Sequence, residues 1–205
     1  MDHTRIFLIR HGETVDEEVK KVYKGTLDIP LSKKGILTIK RVADFLSRYK
    51  IDFIYTSALS RCMESGRIIA GTQKLRIRTT ASLNEIHFGC WEGLSFDEIN
   101  ASYPKEFRSW LKNPVKNTPP RGEPLLNAQE RVLKEFYEIV RKHKKASIAI
   151  IAHAGVLRII ISSLLSLKLS NMFTFSQDYG CINIVDVYEN NKAVVKLLNL
   201  TLPDT

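Results

Sequence analysis

The chain has 205 residues, 44% of them hydrophobic and 26% charged, which suits a globular protein with one full core. Its formal net charge of +9 points to anionic partners, but the basic residues are scattered and no nucleic-acid-binding motif accompanies them. Three widely spaced cysteines, Cys62, Cys90 and Cys181, with no Cys-x-x-Cys, exclude a disulfide framework or a zinc site.

Ile6 to Ile9 is an apolar run that ends abruptly in Arg10-His11-Gly12. Such a run reads as a central, buried, parallel strand over Arg5 to Arg10. Gly12 lets the backbone approach a ligand closely or take positive φ. A charged loop follows to Pro30. Ser32 is an N-cap candidate, and Ile36, Ile39, Ala43 and Leu46 then recur at helical spacing. Ile51 to Thr56 reads as a second strand, with a helix starting at Ser57 and Arg61 in its first turn. Leu75 to Thr79 reads as a third strand, and Ala81 to Gly93 as a loop rich in chemically useful side chains.

Phe96 to Gly122 holds short helical pieces and a Pro-rich connection, taken as a surface excursion. A long helix is expected from Pro124 to Lys144, with Val132, Phe136, Ile139 and Val140 as its buried stripe and Pro124 in its first turn. The basic clusters Lys33-Lys34 and Lys142 to Lys145 fall at helix ends, where they complement the helix dipole or sit in solvent.

Ser147 to Ala152 is another buried strand, again ending in His-x-Gly at His153-Ala154-Gly155, and a helix runs on to Leu165. The most apolar stretch, Ser147 to Leu167, carries His153 and Arg158, so a strand and a helix explain it better than a membrane span. Ile182 to Tyr188 and Ala193 to Leu200 read as a hairpin turning at Asn190-Asn191. With no apolar leader behind a basic start, the expectation is a reduced, cytoplasmic protein with no membrane or nucleic-acid partner. Alternating strands and helices predict a three-layer α/β/α sandwich over residues 1–205, with a mostly parallel sheet and an antiparallel edge.

In a parallel sheet, His11, His153, Arg10, Arg61 and Glu85 can converge beyond the carboxyl ends of the strands. Two imidazoles, two guanidiniums and one carboxyl group suit a phosphate dianion. One neutral imidazole could attack phosphorus while the acid protonates the leaving oxygen.

Arg10-His11-Gly12-Glu13-Thr14 resembles the signature of the histidine phosphatase (phosphoglycerate mutase-like) superfamily. So do Gly25-x-x-Asp28-x-Pro30-Leu31-x-x-x-Gly35, Ser57-x-Leu59-x-Arg61, Leu83-Asn84-Glu85 with Phe88-Gly89-x-Trp91-Glu92-Gly93, and Ala152-His153-Ala154-Gly155. The five segments occur in the family's order along nearly the whole chain. The resemblance implies a phosphohistidine on His11, with Arg10, Arg61 and a protonated His153 holding the phosphoryl group. Glu85 would act as acid and then base. No metal and no cofactor are implied. Thr14, Glu17, Lys24 and His87 are candidates for the substrate rim, although His87 fits no motif position and Trp91 reads as packing.

The sequence departs from the family where Glu17 replaces the usual Asn, six residues after the nucleophile. Glu17 then turns away, shifts register, or is neutralised by Lys20, Lys21 or Lys24. Gly122-Glu123-Pro124 replaces a Gly-Glu-Ser-like segment. Local segments look most like α-ribazole phosphatases of cobalamin synthesis, and phosphoserine phosphatases share several of them. The expected activity is a phosphomonoesterase on a small phosphorylated metabolite, best fitted by α-ribazole 5′-phosphate. The alternatives are a phosphoserine or broad-specificity phosphatase, a phosphoglycerate mutase and a non-catalytic scaffold. A scaffold has no need of a positioned acid. Mutases of the family share an insertion after the acid and a closing C-terminal tail, and both are expected to be short here. The segments from Val15 to Lys24 and from Arg108 to Arg121 are expected to select the leaving group. A homodimer is left open.

Overall fold

The computed structural model describes residues 2–189 and 192–203. Its strands are β1 (His3–Arg10), β2 (Phe53–Ser57), β3 (Ile77–Thr80), β4 (Ser147–Ala152), β5 (Ile182–Tyr188) and β6 (Ala193–Leu200), in the spatial order β3-β2-β4-β1-β5-β6. The first four of these neighbours run parallel, while β5 and β6 add the expected antiparallel edge. The expected hairpin turn at Asn190-Asn191 lies outside the described residues. The helices are α1 (Lys33–Leu46), α2 (Ser60–Gln73), α3 (Phe96–Ser102), α4 (Pro104–Lys112), α5 (Leu125–Lys142) and α6 (Ala154–Leu164).

The strand period of two builds the sandwich. Ile6 and Leu8 of β1, with Ile148 and Ile150 of β4, pack against α5 and α6. Phe7 and Ile9, with Ala149 and Ile151, pack against α1 and α2. All eight side chains are fully buried, which explains why both runs are apolar on both faces. Burying each larger one contributes about 1.5–3 kcal/mol. The excursion has its own small core, in which Trp91, Ile99, Phe107 and Trp110 pack with Tyr23 and Phe88.

Several boundaries differ from the sequence reading, each for a local reason. Ser57 pairs with Thr80 as the last residue of β2, so α2 begins only at Ser60. β3 is displaced to Ile77–Thr80 because the chain leaves α2 through Lys74 in the left-handed region. Pro124 is the cap residue of α5 and lies outside its first turn. Ser32 caps α1 as expected, accepting the Gly35 N–H at 3.0 Å. Lys33 and Lys34 stand at the N-terminal end of α1, where they do not complement the dipole. Lys34 instead meets Glu13 at 3.3 Å.

Gly12 is not in the left-handed region, and its close approach is to a helix. A Cβ on Gly12 would lie 2.5 Å from the Gly35 carbonyl oxygen, and one on Gly35 would lie 2.0 Å from that of Glu13. The two glycines let the first turn of α1 press directly on the loop after β1. Gly35→Ala is expected to cost at least the ~1–3 kcal/mol of overpacking, because the opposing atoms are backbone. A denaturant titration checks this; an unchanged midpoint contradicts the packing account.

Candidate active site

Parallel pairing sets Arg10 beside Ala152, so the next residues of neighbouring strands bring His11 and His153 together. Their rings meet edge-on, with centroids 5.1 Å apart. The His11 backbone N–H donates to the Ala152 carbonyl at 3.1 Å, and its own carbonyl accepts the Gly180 N–H at 3.1 Å. His11 Nδ1 lies 2.7 Å from the Gly12 carbonyl oxygen. A carbonyl only accepts, so Nδ1 carries the proton and Nε2 keeps its lone pair. Burial first, then the Arg10 and Arg61 guanidiniums, hold this imidazole well below its ordinary pKa.

Arg61 is 1% exposed. Its Nη1 and Nη2 donate to the carbonyls of Leu27 and Gly25 at 2.6 and 2.8 Å, which ties the Gly25-to-Asp28 loop to α2. Arg10 donates to the Gln177 carbonyl at 2.7 Å and lies 3.6 Å over the Tyr179 ring. The Nε groups of Arg10 and Arg61 are buried with no hydrogen-bond partner among the described residues.

His153 caps α6, and its Nε2 lies 2.8 Å from Ser57 Oγ. The Ala58 N–H donates to Asn84 Oδ1 at 2.9 Å, and the Ser57 hydroxyl donates to the same oxygen at 2.8 Å. With its proton committed, Ser57 Oγ accepts from His153 Nε2–H. Burial first, then Arg61 and His11, hold His153 well below its ordinary pKa. In the free protein these surroundings favour the neutral imidazole, so the positive charge that the resemblance implies for His153 would come with a bound phosphoryl group.

Glu85 sits in the loop after β3. Its carboxylate accepts the Gly155 N–H at 3.1 Å and its own Ile86 N–H at 3.0 Å. A Cβ on Gly155 would stand 2.5 Å from Glu85 Oε1, which accounts for the glycine in His153-Ala154-Gly155.

These residues open onto a cavity of about 590 Å³. Arg10, His11, Arg61, Glu85 and His153 form its polar end; Phe88, Trp110, Leu111, Pro114, Pro119 and Phe173 form an apolar wall. Both segments expected to select the leaving group contribute, the first through Val22, Tyr23 and Lys24. Among the rim candidates, Lys24 lines the cavity and Glu17 does not. Lys24 Nζ donates to Glu17 and to Tyr179 Oη and pairs with Asp16 at 3.1 Å, while Tyr179 Oη donates to Glu17 at 2.8 Å. Of the three lysines weighed, Lys24 therefore neutralises Glu17, and Lys20 pairs with Glu98 instead.

Thr14 is fully buried, bridged to Leu31 beneath the loop, and is no rim residue. His87 also lies outside the lining, 3.8 Å from Glu92. Tyr179, Ser57 and Arg158 were missed as site residues. Arg158 lines the cavity from α6. In the sequence Arg158 stood out only as a cation in an apolar run, and Ser57 only as part of Ser57-x-Leu59-x-Arg61. Among the described residues, no three His, Cys, Asp or Glu side chains gather as a metal site, and no helix is long and apolar enough to cross a membrane.

The chain is 32% identical over 198 residues to phosphoserine phosphatase 1 of Hydrogenobacter thermophilus, covering 96% of this chain and 92% of that protein. It is 26% identical to the adenosylcobalamin/alpha-ribazole phosphatase of Escherichia coli, covering 95% of each. The solved structure of Bacillus stearothermophilus YhfR superposes with a TM-score of 0.87 at 30% identity, covering 95% of this chain and 96% of that one. Residues 6–201 match the histidine phosphatase superfamily, branch 1. The chain belongs to that superfamily and is an enzyme of the phosphoric monoester hydrolase class.

Proposed function

We propose that the enzyme hydrolyses a small phosphomonoester through a phosphohistidine on His11, with α-ribazole 5′-phosphate as the substrate that fits best. The observation that carries the mechanism is His11 Nδ1–H held by the Gly12 carbonyl, which aims a free Nε2 lone pair beside two guanidiniums whose Nε groups are buried and unpaired among the described residues. Nε2 attacks phosphorus, and the bond from phosphorus to the leaving oxygen breaks as the Glu85 carboxyl group gives that oxygen its proton. Water then attacks the phosphohistidine, its proton returns to Glu85, and the P–N bond breaks to release phosphate. Arg10 and Arg61 spread the charge that builds on the equatorial oxygens. Proton uptake by His153 on substrate binding adds a further positive charge beside the same group.

The apolar wall supports the choice of substrate. Phe88, Trp110 and Phe173 suit a leaving group with aromatic bulk better than a serine side chain. One observation favours phosphoserine instead. Arg158 lines the same cavity with no carboxylate within ion-pairing distance among the described residues, and a substrate carboxylate could meet it. A panel of phosphomonoesters in excess EDTA tests the reading by phosphate release. The expected result is the highest kcat/KM on α-ribazole 5′-phosphate, full activity in the chelator and negligible interconversion of 2- and 3-phosphoglycerate. Preference for phosphoserine overturns the substrate; loss of activity in EDTA overturns the mechanism.

The depressed pKa values of both site imidazoles give a second expectation. Each is held in its neutral form further into the acid than a free imidazole, which protonates at ~6.5. Histidine-selective NMR of the free enzyme should show both rings keeping neutral-imidazole shifts at pH values where a free imidazole has begun to protonate. Inorganic phosphate should then raise the His153 midpoint, because a bound anion favours the cation. Ordinary titration of both rings near 6.5 in the free enzyme contradicts the account.

A further inference from the structure

Arg131 lies on α5 and takes no part in the chemistry above. It does not line the cavity, yet it lies beneath the loop that carries Glu85. A guanidinium has five N–H groups in a fixed fork. In Arg131 all five have acceptors. Nε donates to Glu123 Oε1 at 2.6 Å, and Nη2 donates to Glu123 Oε2 at 2.8 Å. Nη1 donates to the carbonyls of Ser82 and Asn84 at 2.9 and 2.8 Å, and Nη2 also reaches that of Glu85 at 3.3 Å. With every donor committed, Arg131 has none left for a substrate phosphate. Three of its bonds go to carbonyls of one short loop and two to the Glu123 carboxylate.

Glu123 closes the arrangement. Its Oε2 accepts the His87 backbone N–H at 3.4 Å, and its own N–H donates to the His87 carbonyl at 2.8 Å. Residues 82–87 are thus held from Ser82 to His87 by one ion pair. Glu85 lies at the centre, and its side chain points the other way, onto the Gly155 N–H. The same loop carries Asn84, whose Oδ1 fixes the Ser57 hydroxyl that meets His153.

We propose that Arg131 and Glu123 are positioning residues that set the Glu85 carboxyl group at the leaving oxygen. This rests on the reading of Glu85 as the general acid. A charge-assisted bidentate pair resists displacement, which an acid needs if its proton is to reach one particular oxygen. The segment Gly122-Glu123-Pro124 then serves the acid loop, and the missing family hydroxyl leaves that function intact.

The test is a double-mutant cycle on two substrates, an alkyl phosphate with a poor leaving group and p-nitrophenyl phosphate with a good one. Glu85→Gln should lower kcat on the alkyl phosphate by roughly 10²–10⁴-fold and far less on the aryl phosphate. Arg131→Met should show the same substrate bias, with an alkyl loss on the order of 10²-fold, the scale of an ångström misplacement. Its KM should stay near that of wild type. Arg131→Met should cost nothing further in the Glu85→Gln background, and Arg131→Lys should recover part of the loss. If Arg131→Met fails to fold, Glu123→Gln runs the same cycle. Equal losses on both substrates, or an undiminished loss in the Glu85→Gln background, overturn the positioning role. Glu85→Gln that spares the alkyl phosphate overturns the acid itself, and the proposal falls with it.

Discussion

The structure turns on the burial of Arg61. A guanidinium taken out of water costs several kcal/mol unless its donors and its charge are matched. The Leu27 and Gly25 carbonyls match two donors, and that requirement folds the Gly25-to-Asp28 loop down onto α2. They do not cancel the charge. The other groups around His11 add to it, since Arg10 and Lys24 also depress the His11 imidazole. Lys24 is matched by Glu17 and Asp16, so the excess positive charge at the end of the sheet rests on Arg10 and Arg61, and it adds to burial, the larger cause, in favouring the neutral form of both imidazoles. On the proposed mechanism a neutral His11 is a nucleophile and a cationic one is not, so the guanidiniums offered to a phosphate dianion also help burial to keep the attacking nitrogen free.

Sheet geometry gathers these groups. Parallel strands end on one side, so residues far apart in the chain become neighbours wherever two such strands pair. The register of β1 on β4 brings His11 to His153, and the pairing of β2 with β3 brings Ser57 to the loop of Asn84 and Glu85. Close contacts then remove slack. Gly12 and Gly35 admit α1 to the loop after β1, and Gly155 admits the Glu85 carboxylate to the first turn of α6. A side chain at any of these positions would wedge the site open.

Much of this was legible in the sequence because the signals were local. β1 and β4 are apolar runs buried on both faces, Ser32 caps α1 through its own side chain, and the His-Gly pairs stand directly at strand ends. Features that depend on long-range contact were not legible. Tyr179 enters the site from the loop before β5 and carries no motif of its own. Arg131 looks like any polar residue on a long amphipathic helix until its five acceptors are seen. Thr14 was a rim candidate beside the signature histidine, but it bridges to Leu31 and is fully buried. The protonation of His153 depends on burial and on the distance to Arg61, neither of which spacing along the chain encodes. Glu17 was ambiguous for the same reason, since Lys24, which neutralises it, and Tyr179, which donates a hydrogen bond to it, meet it only in three dimensions.

The central claim is that His11 Nε2 is the nucleophile, and trapping the intermediate tests it most directly. Enzyme mixed with excess substrate and quenched within one turnover should carry one phosphoryl group, labile in acid and stable in base. Peptide mass spectrometry should place it on His11, and His11→Ala should carry none and turn over no substrate. A phosphoryl group on another residue, or a His11→Ala variant that keeps more than about a hundredth of wild-type turnover, would contradict the account, since losing a nucleophile costs far more than that.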